Sequence, residues 1–302
     1  MIYKALLFKV ILAFFMVAHS GLHASPTSIE RADLKQAHDP LSLNSSVALV
    51  ADADSLEVLY AKNPSVVLPI ASITKVMTVV VTLEAGLDLD EVITITNADI
   101  DYYKNTRSRL TPGSEFTRRE LIHLALMASE NRAASALGRS YPGGLAACVA
   151  QMNRRATSLR MFNTNFAETT GLSVENKSSA NDLARMVLHA QRFPLIRQFS
   201  TDPQFSVQSG KGQLNFRNTN RLIKNKEWDI QVQKTGFINE AGRCLVMKAR
   251  VGDRNLVIVL LDALGSQARF ADAERIREYV MAVESNISPT ITATGYVPKQ
   301  AN

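Results

Sequence analysis

The chain has 302 residues, 46% of them hydrophobic and 21% charged, with a formal net charge of +6. That composition fits an ordinary globular protein of one large or two modest domains with a sizeable core. No apolar run of membrane length follows residue 30, and the five histidines are scattered, which argues against a membrane-spanning body and against a Cys/His metal cluster.

The first residues stand apart. Lys4 precedes a mostly apolar stretch from Ala5 to Ala18, broken by Lys9, and small residues follow at Ser20 and Leu22-His23-Ala24. This is the pattern of a secretory signal over residues 1–24, cleaved after Ala24. The alternative is an uncleaved anchor, for which the stretch is short. Cleavage removes Lys4 and Lys9 and no acidic residue, taking the net charge from +6 to +4. A mildly basic exported protein suits an anionic matrix. No nucleic-acid partner is expected, nor an integral membrane segment in the mature chain. Residues 25–43 are polar and mixed, and read as a flexible lead-in.

From Asn44 the pattern becomes structured. Val47–Val50 and Leu56–Tyr60 flank Asp52-Ala53-Asp54-Ser55, which predicts a β-hairpin. Ser72–Glu84 predicts a helix with Gly86 beyond its end. Its apolar residues surround the axis rather than forming one stripe, so the helix should be buried on all sides. Thr117 and Glu120 form a capping box that opens a helix through Met127. Ala133–Leu137, Leu145–Leu159 and Ser179–Gln191 are further helical stretches, the last stopped by Pro194. Then the period changes. Gln213–Arg217, Ile230–Lys234, Arg243–Val251 and Leu256–Leu261 read as strands, with Leu245, Met247, Ala249 and Val251 on one face. Phe270, Ala273, Ile276, Val280 and Val283 recur at helical spacing in a closing helix over Gln267–Glu284. Residues 285–302 are expected to be a disordered tail.

A sheet that joins strands from opposite ends of the chain brings the ends together. The expected architecture is α+β, an antiparallel sheet covered by helices with an inserted helical subdomain and a cleft between them, over residues 44–284. Cys148 and Cys244 are far apart in sequence and read better as two buried thiols than as a bridge.

Three short segments carry chemistry. Ser72 and Lys75 are three residues apart, which on a helix sets both side chains on one face. Lys75 is the only cation in that apolar helix. Burying an ammonium lowers its pKa, and a partly neutral lysine can take the proton of a serine nucleophile. In Ser129-Glu130-Asn131, after the helix ending at Met127, Ser129 could relay a proton to a leaving nitrogen and Asn131 could hold a substrate amide and steady Lys75. In Lys234-Thr235-Gly236, at the end of an expected strand, Lys234 and Thr235 could clasp a carboxylate. Gly236 would let substrate approach the backbone. The N–H of the next residue, Phe237, could complete an oxyanion hole with that of Ser72. Each segment alone is commonly structural: a helix cap, a helix-end turn, an edge strand. Their joint occurrence, each on the element its chemistry needs, points to acyl transfer without metal or cofactor.

With these motifs in hand, the chain resembles the D-alanyl-D-alanine carboxypeptidase family of low-molecular-mass penicillin-binding proteins. The resembling stretches are Leu68–Thr78, Ser129–Ala134, Thr169–Asn176 and Lys234–Phe237 leading to Ala241–Leu245. The resemblance implies a β-lactamase/transpeptidase-like fold, with peptidoglycan peptide stems and β-lactam antibiotics as ligands. It further implies Ser72 as the acylated nucleophile, Lys75 as proton acceptor, Ser129 as relay and Lys234 as carboxylate binder. The glutamate in Ser129-Glu130-Asn131, where most of the family carry glycine, is similar to the endopeptidase branch, which cuts D-alanyl–diaminopimelate cross-links in the periplasm. A carboxypeptidase trimming pentapeptide stems is the alternative. A β-lactamase would need a Glu-x-x-x-Asn arrangement, but Glu168 is followed four residues on by Leu172. A non-catalytic penicillin sensor would normally hang from a membrane receptor.

Overall fold

The computed structural model describes residues 39–210 and 212–284, and the strands at 290–292 and 295–297. The leader expected over residues 1–24, and the lead-in before Asp39, lie outside the described residues.

The chain opens with the expected hairpin, β1 (Ser45–Asp52) and β2 (Val58–Lys62). A two-residue strand β3 (Leu68–Pro69) leads into a 3-10 turn, Ala71–Ile73, that runs directly into α1 (Thr74–Glu84). The helical lobe holds β4 (Val92–Thr94), β5 (Glu115–Thr117), α2 (Arg118–Met127), α3 (Asn131–Arg139), α4 (Gly144–Ser158), β6 (Lys177–Ser178), α5 (Ala180–Ala190) and α6 (Pro194–Thr201). A hairpin follows, β7 (Gln204–Ser209) and β8 (Gly212–Arg217). Three long strands, β9 (Asp229–Ile238), β10 (Gly242–Val251) and β11 (Arg254–Ala263), precede the closing helix α7 (Ala268–Glu284). Two three-residue strands, β12 (Thr290–Thr292) and β13 (Gly295–Val297), pair within the stretch expected to lack structure. Among the described residues, no helix is long and apolar enough to cross a membrane.

The central sheet has the order β2-β1-β11-β10-β9 and is antiparallel throughout. Strand alternation divides its side chains between two cores. Leu245, Met247, Ala249 and Val251 join Ala48, Val50 and Ile258 under α7, whose Phe270, Ala273, Ile276 and Val280 fill that layer. Val246, Val257, Val259 and Val47 face the other way, into the larger core shared with α1 and α5. The buried carboxylate of Asp272 on α7 accepts hydrogen bonds from the backbone N–H groups of Asn44 and Ser45, at 2.9 and 2.8 Å, and from the Ser45 hydroxyl at 2.7 Å. The last helix is thereby fastened to the first strand.

Helix α1 is the axis of the lobe. Val76, Met77, Val79, Val80 and Val81 are all fully buried, each stabilising by about 1.5–3 kcal/mol relative to exposure. The capping box is present: the Thr117 side chain accepts from Glu120 N, and the Glu120 carboxylate accepts from Thr117 N at 2.8 Å. Cys148 and Cys244 are buried thiols and form no bridge.

Other details also differ from the sequence reading. Pro194 opens α6 rather than only ending α5, because its fixed φ and missing N–H suit the first helical position. Strand β7 was not anticipated, since Gln204, Ser206 and Gln208 are exposed and leave too little apolar alternation. Strand β9 runs on to Ile238, so Lys234-Thr235-Gly236 lies inside the strand and not at its end.

Candidate active site

The three motifs meet where the lobe abuts the edge of the sheet. Ser72 lies in the 3-10 turn and Lys75 in the first turn of α1. Ala71, just before Ser72, sits at φ +47°, a left-handed conformation costly for a residue with a Cβ. Two glycines allow other backbone to close on this turn. A Cβ on Gly171, at φ +84°, would fall 1.9 Å from Ala71 O. One on Gly236 would fall 2.9 Å from Ile70 O and 3.2 Å from Ser72 N. Strand β9 and the 171 loop therefore press against the serine from two sides.

Lys75 is fully buried. Its Nζ donates to Ser72 Oγ at 2.8 Å, to Asn131 Oδ1 at 2.8 Å and to the Thr170 carbonyl at 2.6 Å. Burial lowers its pKa from 10.5 to about 8, against the opposing pull of Glu168, Glu130 and Asp101. At that value about a tenth of the lysine is neutral at pH 7, enough for a general base. Asn131 is aimed by its other end, since its Nδ2 donates to Thr106 Oγ1 at 2.8 Å and the Thr106 hydroxyl donates to Asp101 at 2.7 Å. Ser129 sits between α2 and α3 at φ +59°. It lines, with Ser72, Asn131, Thr235 and Gly236, a cleft of about 440 Å³.

Lys234, also fully buried, has its Nζ 2.8 Å from the Thr235 carbonyl. Burial and the nearby charges of Lys75 and Arg269 hold it well below its ordinary pKa, so an arriving anion would be welcomed. The Thr235 hydroxyl is 2.6 Å from that of Thr219. Phe237 exposes 47% of its surface at the cleft, with the Arg243 guanidinium 4.1 Å from its ring centre. The structure thus gathers all eight residues singled out in the sequence: six of them line the cleft, Lys75 lies directly behind Ser72, and Lys234 is buried behind Thr235.

Other contributors had no sequence signal. Arg269, at the start of α7, lines the cleft, is only 7% exposed, and has Nε and Nη1 without hydrogen-bond partners among the described residues. A single arginine beside an apolar helical stripe reads as a surface charge until the helix is docked. Thr170 contributes only its carbonyl, which no residue type announces. Glu168 proves to be a loop tie. Its carboxylate accepts from Thr170 N at 2.5 Å, Thr170 Oγ1 at 2.6 Å, Gly171 N at 2.6 Å and the Asn176 amide. These bonds commit its lone pairs to the loop, and the position four residues on is Leu172 rather than the asparagine a β-lactamase would need. A larger cavity, about 740 Å³ between β2 and α5, contains neither Ser72 nor either buried lysine.

A cleft serine paired with a buried lysine, set between an antiparallel sheet and a helical lobe, is the arrangement of the penicillin-binding serine peptidases. The chain belongs to the D-alanyl-D-alanine carboxypeptidase family, whose model matches residues 33–265. It is 45% identical over 263 residues to a D-alanyl-D-alanine endopeptidase of Pseudomonas aeruginosa, covering 86% of this chain and 83% of that protein. A D-alanyl-D-alanine endopeptidase of Escherichia coli is 42% identical over 238 residues, covering 78% of this chain and 77% of its own. Among solved structures, the Streptomyces K15 DD-transpeptidase is 27% identical with a TM-score of 0.74, covering 80% of this chain and 98% of that one.

Proposed function

We propose that the protein is a periplasmic serine endopeptidase that cuts D-alanyl–diaminopimelate cross-links in peptidoglycan, and that penicillin acylates the same serine. The observation that carries this is a fully buried Lys75 Nζ 2.8 Å from Ser72 Oγ, with a second fully buried lysine, Lys234, held well below its ordinary pKa by burial and by the charges of Lys75 and Arg269. The matches to endopeptidases over most of the chain support the choice of reaction.

Neutral Lys75 takes the Ser72 proton as Oγ bonds to the D-alanyl carbonyl carbon. The N–H groups of Ser72 and Phe237 hold the developing oxyanion. Lys234, Thr235 and Arg269 hold the carboxylate next to the scissile nitrogen, and Asn131 the substrate amide. Gly236 lets the peptide lie against the strand. The proton then passes from Lys75 through the Ser129 hydroxyl to the leaving nitrogen, and the C–N bond breaks. Water attacks the ester, Lys75 accepts its proton, and Ser72 Oγ leaves protonated. With a β-lactam the expelled nitrogen stays tethered, so it obstructs this water and the ester persists.

Chromatography of muropeptides after digestion tests the reading. Loss of cross-linked dimers is expected. Loss of terminal D-alanine alone, with dimers intact, would make the protein a carboxypeptidase instead.

A further inference from the structure

The cleft carries more positive charge than one carboxylate needs. Its lining includes Lys104, Arg243 and Arg269 and no acidic residue, and Lys234 lies buried beside it. Lys234 and Arg269 suffice for the carboxylate next to the scissile bond. Arg243 and Lys104 remain at the outer end. Arg243 makes no ion pair among the described residues, and its guanidinium lies against the exposed Phe237 ring. Lys104 belongs to the lobe, and its Nζ reaches across the mouth to Glu240 in the β9–β10 turn, at 2.5 Å. The Asp101 carboxylate fixes the lysine's loop by accepting from the N–H groups of Tyr103, Lys104 and Thr106, at 2.8, 3.0 and 2.9 Å. The Lys104–Glu240 pair is itself exposed by 31% and 42%, so it is weak enough to exchange partners.

The chemistry of a cross-link matches these outer groups. A pentapeptide ends at the carboxylate beside the scissile bond. A cross-link continues through the alkyl chain of the diamino acid into a second stem that carries free carboxylates. We propose that Phe237, Arg243 and Lys104 form a subsite for that second, acidic stem: the ring takes the alkyl chain, and the two cations take a stem carboxylate, which replaces Glu240 as the partner of Lys104. This rests on the endopeptidase reading for its biological ligand. It assigns the residues that make a cross-linked peptide a better ligand than a free stem end.

The test uses protection of Ser72 from a fluorescent penicillin by a purified muropeptide dimer, a readout that requires no cleavage. Three dimers are compared: one with free carboxylates, one amidated at the second stem's glutamate, and one amidated at its terminal D-alanine. At least one amidation is expected to raise the half-protecting concentration about tenfold, which is about 1.4 kcal/mol, and the sensitive arm identifies the carboxylate. In the double variant Lys104→Ala, Arg243→Ala that ratio should collapse below about twofold. The variant's own labelling by penicillin in the absence of dimer reports that it is folded. Glu240→Gln, which frees Lys104, should lower the half-protecting concentration of the free-carboxylate dimer a few-fold. Equal protection by all three dimers in the parent, or a tenfold ratio that persists in the double variant, overturns the subsite. A dimer that protects with the expected ratio but is never cut leaves the subsite standing and removes the endopeptidase reading.

Discussion

Two buried lysines sit in two regions of this molecule and are treated in opposite ways. At the sheet edge, Lys62 donates to the Asp39 carboxylate at 2.9 Å and to the Leu43 carbonyl at 3.0 Å. Burial would raise the Asp39 pKa, but the Tyr60 hydroxyl and the Lys62 ammonium more than offset that and hold it below 3.8. In the cleft, Lys75 touches a hydroxyl and two uncharged oxygens and no carboxylate. The three carboxylates that favour its charge, Glu168, Glu130 and Asp101, act from a distance and do not cancel desolvation. A buried lysine given a counter-ion is a structural fastening. The same residue denied one is kept ready to lose its proton.

The sharpest way to break this contrast is at the nucleophile. Ser72→Ala should abolish labelling by radiolabelled penicillin and reduce cross-link cleavage by roughly 10⁴-fold; a variant labelled as heavily as the parent would refute the role of position 72. Lys75→Arg keeps the positive charge but cannot give up its proton near neutral pH. It should slow penicillin acylation about 10³-fold, measured as a second-order rate constant, while circular dichroism stays that of the folded protein. Lys62→Met should do the reverse. It leaves Asp39 buried without its cation, so stability should fall by about 3 kcal/mol in urea denaturation, while the acylation rate of the folded fraction is retained. If Lys62→Met instead impaired chemistry and left stability intact, the assignment of roles to the two regions would be inverted.

The smallest of the four effects is in the pH dependence. The base is the neutral amine, so the acylation rate should rise with pH through about 8, gaining about tenfold between pH 7 and pH 9. Stability should separate the regions by sign. The Asp39 carboxyl is depressed in the folded state, so its contribution is present above about pH 4 and is lost as pH falls through its folded value. The Lys75 ammonium is destabilised by folding, so its cost is full below about 8 and is relieved as pH rises toward 10.5. Unfolding curves collected at several pH values would read both slopes.

The Lys75 half of this contrast was visible in the sequence, and the reason is spacing. A lone cation among Val76, Met77, Val79 and Val80 one helical turn from a serine is a pattern that only a buried helix gives purpose. The capping box at Thr117 and the alternation in β10 are likewise local codes, readable without the fold. What stayed hidden depends on tertiary docking. Lys62 in β2 looks like an ordinary edge-strand lysine until Asp39 is folded against it. Arg269 becomes a cleft residue only when α7 lies on the sheet. The Thr170 carbonyl reaches Lys75 because Glu168 ties its loop and Gly171 clears the Ala71 backbone. Pro194 does follow the end of α5, but its second meaning was missed, since proline both ends helices and begins them.

Strand β1 hydrogen-bonds to β2 on one side and to β11 on the other, and Asp272 of α7 seals its first residues. Val47 is thus partnered by Leu261, more than two hundred positions downstream. During synthesis the first hairpin must wait unmated until nearly the whole polypeptide has emerged, which makes folding a slow, high-contact-order event. A nascent chain arrested before Arg254 should therefore be degraded by protease across the Ser72 region, whereas one released after Glu284 should resist.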